Sequence, residues 1–142
     1  MPARHWFGYA RGAKERQQLD FLWVGVGGFV GANARYAMGR AIHDRVVTTF
    51  PLGTLTINVL GSIAIGFLVM LLAERYAPNH ALRLLIVTGF LGGYTTFSSF
   101  SFEAVMLADR GQLGRALVYI LGTNGLALAG CAAGVALVRW LR

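Results

Sequence analysis

"GGYTTFSSFSFE", residues 92–103, lies inside one of the most apolar stretches of a 142-residue chain. The surrounding run, Leu84 to Phe102, carries no charge, and about 20 such residues in a helix cross a hydrocarbon core. Yet the segment is a poor helix. Gly92 and Gly93 each weaken a helix by about 1 kcal/mol relative to alanine. Thr95 and Thr96 are β-branched, and the hydroxyls of Ser98, Ser99 and Ser101 compete for backbone hydrogen bonds. This composition predicts a helix break near 92–97. Non-helical backbone at membrane depth survives only where protein or a watery cavity satisfies it, and transporters use such broken ends to hold ions. The alternative is an intact helix that packs through Gly89 and Gly93, a small-xxx-small pair.

Outward from this segment the chain repeats the same apolar theme. Hydrophobic residues make up 56% of the sequence and charged residues 13%, about half the charged share of a globular protein. Val46 to Ala73 and Ala116 to Val138 are likewise free of charge. A shorter run, Phe21 to Ala34, ends at Arg35, so it spans a bilayer only if Arg35 lies within it. The pattern predicts an all-α integral membrane protein of four transmembrane helices: about 21–41, 52–74, 82–107 with the break, and 115–140. Residues 1–20 form a basic N-terminal arm, read as a tail whose Trp6 and Tyr9 can rest at headgroup level, and residues 21–142 form the transmembrane domain. Twenty mostly polar residues ahead of Phe21 argue against a signal peptide ending at Ala32-Asn33-Ala34.

The formal charge of +7 does not mark a nucleic-acid binder, because the basic residues cap the apolar runs instead of forming a stripe. Four spans put both termini on one side. There the arm's Arg4, Arg11, Lys14 and Arg16 tip the balance toward a cytoplasmic location. Without the arm, Arg75, Arg83, Arg139 and Arg142 on one side face Arg40, Arg45, Arg110 and Arg115 on the other. A core so evenly balanced can insert both ways and pair antiparallel. The single cysteine, Cys131, reads as packing.

Three polar features stand out in the apolar runs. Thr54, Asn58 and Ser62 recur at i, i+4, i+8 and share a helix face. Tyr119 and Thr123 form a shorter stripe, with Asn124 beside it and apolar Ala127 at the next step. Each stripe is either interhelical glue or the wall of a polar path. The third feature is the 92–103 segment itself, where Phe97 and Phe100 flank the break. Aromatic rings have a positive edge, so they can face an anion without trapping it, and permeation needs weak binding. Arg35 and Glu103 are the ionisable residues nearest the membrane interior, which makes both functional candidates. Arg35 either draws anions into a vestibule or anchors the fold, and an arginine partner is the plain structural explanation of Glu103. No phosphate loop, H-E-x-x-H motif or Cys/His metal set is present, and His5, His43 and His80 are scattered. The chain is not expected to be an enzyme.

"GFLGGYTTFSSFSFE" (89–103), "GTLTINVLGS" (53–62) and "GANARYAMGR" (31–40) resemble the CrcB/Fluc family of fluoride channels, over about residues 21–140. The resemblance implies a four-helix subunit in an antiparallel, dual-topology homodimer, with helix 3 broken mid-membrane and two fluoride pathways. It implies pathway roles for Phe97, Phe100, Asn58, Thr54, Tyr119, Thr123 and, in the vestibule, Arg35. It also implies a structural sodium ion (Na+) at the dimer centre, held by the main-chain carbonyls of Gly92 and Thr95. The activity implied is passive export of fluoride anion across the cell inner membrane or plasma membrane, conferring fluoride resistance. The arm lies outside the resemblance, and Ala127 replaces a small, often hydroxyl residue on the family's helix 4 track. The competing reading is a small proton-coupled multidrug exporter of dual topology. It needs an embedded carboxylate, and helix 1 here offers Arg35 instead. A membrane scaffold that transports nothing is a third reading.

Overall fold

The computed structural model describes the backbone of residues 4–75 and 79–141, and the side chains of 17–73 and 79–141. The expected seats of Trp6 and Tyr9 lie outside these described side chains. Every regular element among the described residues is helical.

Helix α1 (Arg4–His43) is continuous for 40 residues, about 60 Å at 1.5 Å per residue and twice the thickness of a hydrocarbon core. The arm is therefore helical in its backbone and not a tail. Ala, Arg, Lys, Glu and Gln dominate 10–18, all good helix formers, and a helix already running from Phe21 extends without a new nucleation cost. After the 44–51 connection, Pro51 precedes α2 (Leu52–Arg75) and its carbonyl accepts the Leu55 N–H, as its fixed φ favours at a helix start.

The third apolar run follows an irregular course. Asn79 caps α3 (His80–Arg83) by accepting the Leu82 N–H on its side chain at 3.1 Å. A wide-wound π-helical stretch, Leu84–Leu91, follows, then one short turn, α4 (Gly92–Tyr94). Thr95 (φ −81, ψ 158) and Thr96 (φ −149, ψ 116) are extended, and the path resumes as α5 (Phe97–Asp109). Gly111, at φ 74, makes the left-handed turn that glycine tolerates before α6 (Leu113–Trp140).

Two close helix pairs build the molecule. α1 packs along 84–94, and α2 packs along α6. In the first pair a Cβ on Gly27 or Gly31 would overlap the backbone of Leu85 or Phe90, and one on Gly93 would meet the Gly28 carbonyl. In the second, Gly66 abuts Cys131 and Gly134 abuts Ile63. Glycine lets these backbones touch, as membrane helix pairs require. The Gly89–Gly93 packing face and the interruption thus exist together; they were alternatives only in the sequence.

Among the described residues two helices are apolar and long enough to cross a membrane unbroken: Leu52–Ala73, with mean hydropathy 2.3, and Leu113–Trp140, with 1.6. Only 17% and 11% of their most apolar windows are buried, so they are not the core helices of a soluble protein. The third run fails this test because it is not one continuous helix, and the apolar part of α1 is diluted by its polar flanks. Large side chains such as Phe29, Leu121, Leu128 and Trp140 point outward. In a bilayer, lipid replaces the missing core. The buried core itself is small, with Phe100, Ala104, Leu107, Ala116 and Tyr119 gathered between α5 and α6.

Candidate functional site

The site begins with backbone groups that the interruption leaves without helical partners. Asn58 on α2 meets them with its side-chain amide. Its Nδ2 donates to the Thr96 carbonyl at 2.9 Å, and its Oδ1 accepts the Thr96 N–H at 2.9 Å. Thr96 then caps α5, since its Oγ1 accepts the Ser99 N–H at 3.2 Å and donates to Ser99 Oγ at 3.0 Å. Thr95 turns its own hydroxyl back to the Leu91 carbonyl at 3.0 Å. Asn58 is therefore first a clamp on the interruption, and its second N–H remains available to the adjoining cavity.

These side-chain bonds have a consequence for two carbonyls. In a continuous helix the Gly92 carbonyl accepts the Thr96 N–H, and the Thr95 carbonyl accepts the Ser99 N–H. Here Asn58 takes the first N–H and the Thr96 hydroxyl takes the second. Gly92 and Thr95 are thus left with carbonyl oxygens that lack their usual donors, and hard cations such as sodium are bound by oxygen ligands of this type. No cluster of three or more His, Cys, Asp or Glu side chains is found among the described residues.

Next to the clamp is a cavity of about 320 Å³ whose lining includes Asn58, Ser62, Thr95, Phe97, Phe100 and Thr123. Thr123 is 4% exposed, and its Oγ1 has no partner. A buried hydroxyl without a bond costs about 1–3 kcal/mol, a cost that a hydrogen-bonding guest in the cavity would relieve. Ser62 and Asn124 reach the same space, although Asn124 donates its amide to the Ile120 carbonyl at 2.7 Å.

Phe100 separates this cavity from a second polar centre. Its ring is buried against Tyr119, 5.2 Å between centroids, and near Phe97 at 5.5 Å. Phe97 behaves differently: it is 75% exposed on the outer face of the molecule. Phe50 adds a fourth ring, edge-on to Tyr119 at 5.6 Å. The sequence offered only its place before Pro51 as a signal for this residue.

The second centre is Glu103. Thr54 donates to its Oε1 at 2.8 Å, and Tyr119 donates to its Oε2 at 2.7 Å. The expected arginine partner is absent: the carboxylate makes no ion pair among the described residues. Two hydroxyls replace it, which satisfies the oxygens without cancelling the charge. Tyr119 is fully buried and has committed its only proton, so it offers no free donor in this arrangement.

Glu103 and Thr54 also open to two mouths. One is a wide vestibule of about 780 Å³ whose walls include Arg35, Tyr36, Arg40 and Thr96. The other, about 380 Å³, lies under the 44–51 connection. Arg115 steadies that connection by donating to Thr49 Oγ1 at 2.9 Å. Arg35 is half-buried and makes no hydrogen bond or ion pair among the described residues, so its charge faces the vestibule. The residues singled out by sequence therefore divide. Asn58, Phe97, Phe100, Thr123, Gly92 and Thr95 surround one cavity, while Thr54 and Arg35 line the vestibule, and Tyr119 lies behind Phe100 joined to Glu103. Thr96, which lines both spaces, is the link that the sequence reading missed.

The family model described as CrcB-like protein, Camphor Resistance (CrcB), matches residues 22–135. Among named relatives, the Fluoride-specific ion channel FluC 2 of Nitrobacter hamburgensis is 44% identical over 123 residues, 87% of this chain and 99% of the relative. The Fluoride-specific ion channel FluC of a Roseiflexus species is 43% identical over 123 residues, 87% of this chain and 99% of the relative. That of Acidobacterium capsulatum is 46% identical over 101 residues, 71% of this chain and 81% of the relative.

Proposed function

The chain belongs to the CrcB family, and from that membership we infer that it is a membrane channel specific for fluoride, not an enzyme. Its physiological role is fluoride resistance. Fluoride enters a cell as neutral HF, ionises at neutral pH and is trapped, and a passive channel lets the anion leave down its gradient.

One observation carries the mechanism: beyond a vestibule of mixed charge, where Arg35 and Arg40 share the walls with Asp44 and Glu103, the inner cavity is lined by neutral polar groups and aromatic rings. Arg35 raises the local concentration of anions at the mouth. Thr96 and Ser99 lead inward. The free N–H of Asn58 and the orphan hydroxyl of Thr123 replace water around the ion, and the edges of Phe97 and Phe100 add weaker contacts. Fluoride holds water strongly, so donors must offset its dehydration, yet none can be so strong that the ion stays. Thr54 and Tyr119 serve the path through Glu103, whose carboxylate fixes their hydroxyl protons.

The working unit in this reading is an antiparallel, dual-topology homodimer in the inner or plasma membrane, each chain crossing four times with its third span broken at mid-depth. Two features support it. Phe97 is exposed beside an open cavity, so a second copy would complete the wall. The basic residues of the core divide evenly between the two sides. Gly92 and Thr95 carbonyls from both chains would hold sodium, which supplies fixed positive charge that binds the two interruptions together.

Fluoride efflux tests the function. Liposomes holding the purified protein and loaded with potassium fluoride receive valinomycin, and a fluoride electrode reads release; potassium chloride is the control. Fast fluoride release without chloride release, slowed by Phe97→Ile, is the expected result. Folded protein that releases neither ion overturns the channel reading.

A further inference from the structure

Where α2 ends and α3 begins, a groove of about 220 Å³ opens on the surface, sharing Val87 with the lining of the cavity beside Asn58. Its floor is Val69, Leu72 and Val87, and its rim is Asn79, His80 and Arg83. The floor belongs to the ends of two apolar runs and the rim to the first polar residues beyond them, which is the level of lipid headgroups. Arg83 is exposed and makes no hydrogen bond or ion pair with any described residue. Asn79 commits its Oδ1 to the Leu82 N–H, which leaves its amide N–H groups free. Asp20, the carboxylate described at this end, is engaged by His80 at 3.1 Å and so does not neutralise Arg83. Among the described side chains the rim offers donors and positive charge with no uncommitted carboxylate, and the floor offers only methyl groups.

We propose that this groove seats an anionic phospholipid. The phosphate takes the fork of Arg83 and the amide of Asn79, and the first acyl methylenes lie along Val69, Leu72 and Val87. Arginine suits this role because its planar guanidinium binds two phosphate oxygens at once, and basic pockets between membrane helices select anionic headgroups.

The test titrates the purified full-length protein, in a neutral detergent, with phosphatidylglycerol, phosphatidylcholine or inorganic phosphate, and reads bound adducts by native mass spectrometry. Phosphatidylglycerol is expected to bind in preference to phosphatidylcholine. Arg83→Gln should weaken it about tenfold, the worth of one charged hydrogen-bonding partner. Val69→Trp fills the floor and should weaken it similarly, while Arg139→Gln, at another helix end, leaves it unchanged. Equal binding of the two lipids overturns the proposal, as does undiminished phosphatidylglycerol binding in Arg83→Gln. Displacement of the lipid by equimolar inorganic phosphate points to a free-anion site and overturns it too. If Arg83→Gln elutes as an aggregate on size exclusion, Val69→Trp decides: full lipid binding with the floor filled sinks the idea.

Discussion

Thr123 and Asn58 carry opposite balances of stability and function. The Thr123 hydroxyl is buried without a partner, so Thr123→Val removes an unsatisfied group while keeping the shape. Fluoride flux should fall about tenfold, the worth of one hydrogen bond to an ion, while thermal stability in detergent holds or rises. A drop in stability with normal flux would mean that the hydroxyl has a structural partner. Asn58→Ala strips donor and acceptor from both polar groups of Thr96 and should cost about 1–3 kcal/mol for each group left bare, with flux lost as well. Asn58→Asp keeps the acceptor for the Thr96 N–H and should retain more stability than alanine; equal losses for the two would count against the clamp. Much of this site was legible as residue types at helical spacing. What spacing could not give is pairing across elements. Thr54 and Asn58 share a face of α2 yet serve different spaces, one joined to Glu103 and the other to Thr96. Glu103 looked for an arginine because sequence shows charge; it found two hydroxyls because α2, α5 and α6 converge there.

At the scale of elements, close backbone contact sets which glycines matter. A Cβ on Gly31 would overlap the backbone of Phe90, which cannot move aside as a flexible side chain can. Gly31→Ala should push α1 away from 84–94 and lower the melting temperature in detergent. Gly125, on α6, meets nothing within 4 Å, and Gly125→Ala should be neutral or gain up to about 1 kcal/mol of helix propensity. Similar melting temperatures for the two variants would show that the α1 contact is slack. The ends of α2 and α6 followed from the charge-free runs to within two residues, α6 beginning at Leu113 instead of the expected 115. The π-helical winding of Leu84–Leu91 did not, because an unbroken apolar run has no period that separates one winding from the other. Helical continuation through the arm was missed for a related reason: polar residues without apolar periodicity read as tail, and the extension depends on the helix already formed beyond Phe21.

At the scale of the whole molecule, orientation rests on a few charges. In the proposed four-span topology the core carries four basic residues on each side, and the arm adds Arg4, Arg11, Lys14 and Arg16 to one side only. Because α1 is one helix from Arg4 to His43, the arm stands about 25 Å beyond the apolar part of the span. Moving it across a membrane means moving four cations within reach of a span end, the range over which basic residues orient a helix. The full-length chain is therefore expected to favour termini on the cytoplasmic side, with a minority inverted. A variant lacking residues 2–18 should insert both ways in near-equal amounts. A cysteine placed at each terminus in a Cys131→Ser background, labelled from outside intact cells by an impermeant reagent, reads the two populations directly. Antiparallel dimers require both orientations, so the arm-deleted chain should also yield more dimer, and more fluoride efflux per milligram, than the full chain. Equal labelling of both chains from outside would show that the arm does not orient the protein. Full-length protein labelled from one side alone, yet active in efflux after purification, would overturn the antiparallel homodimer.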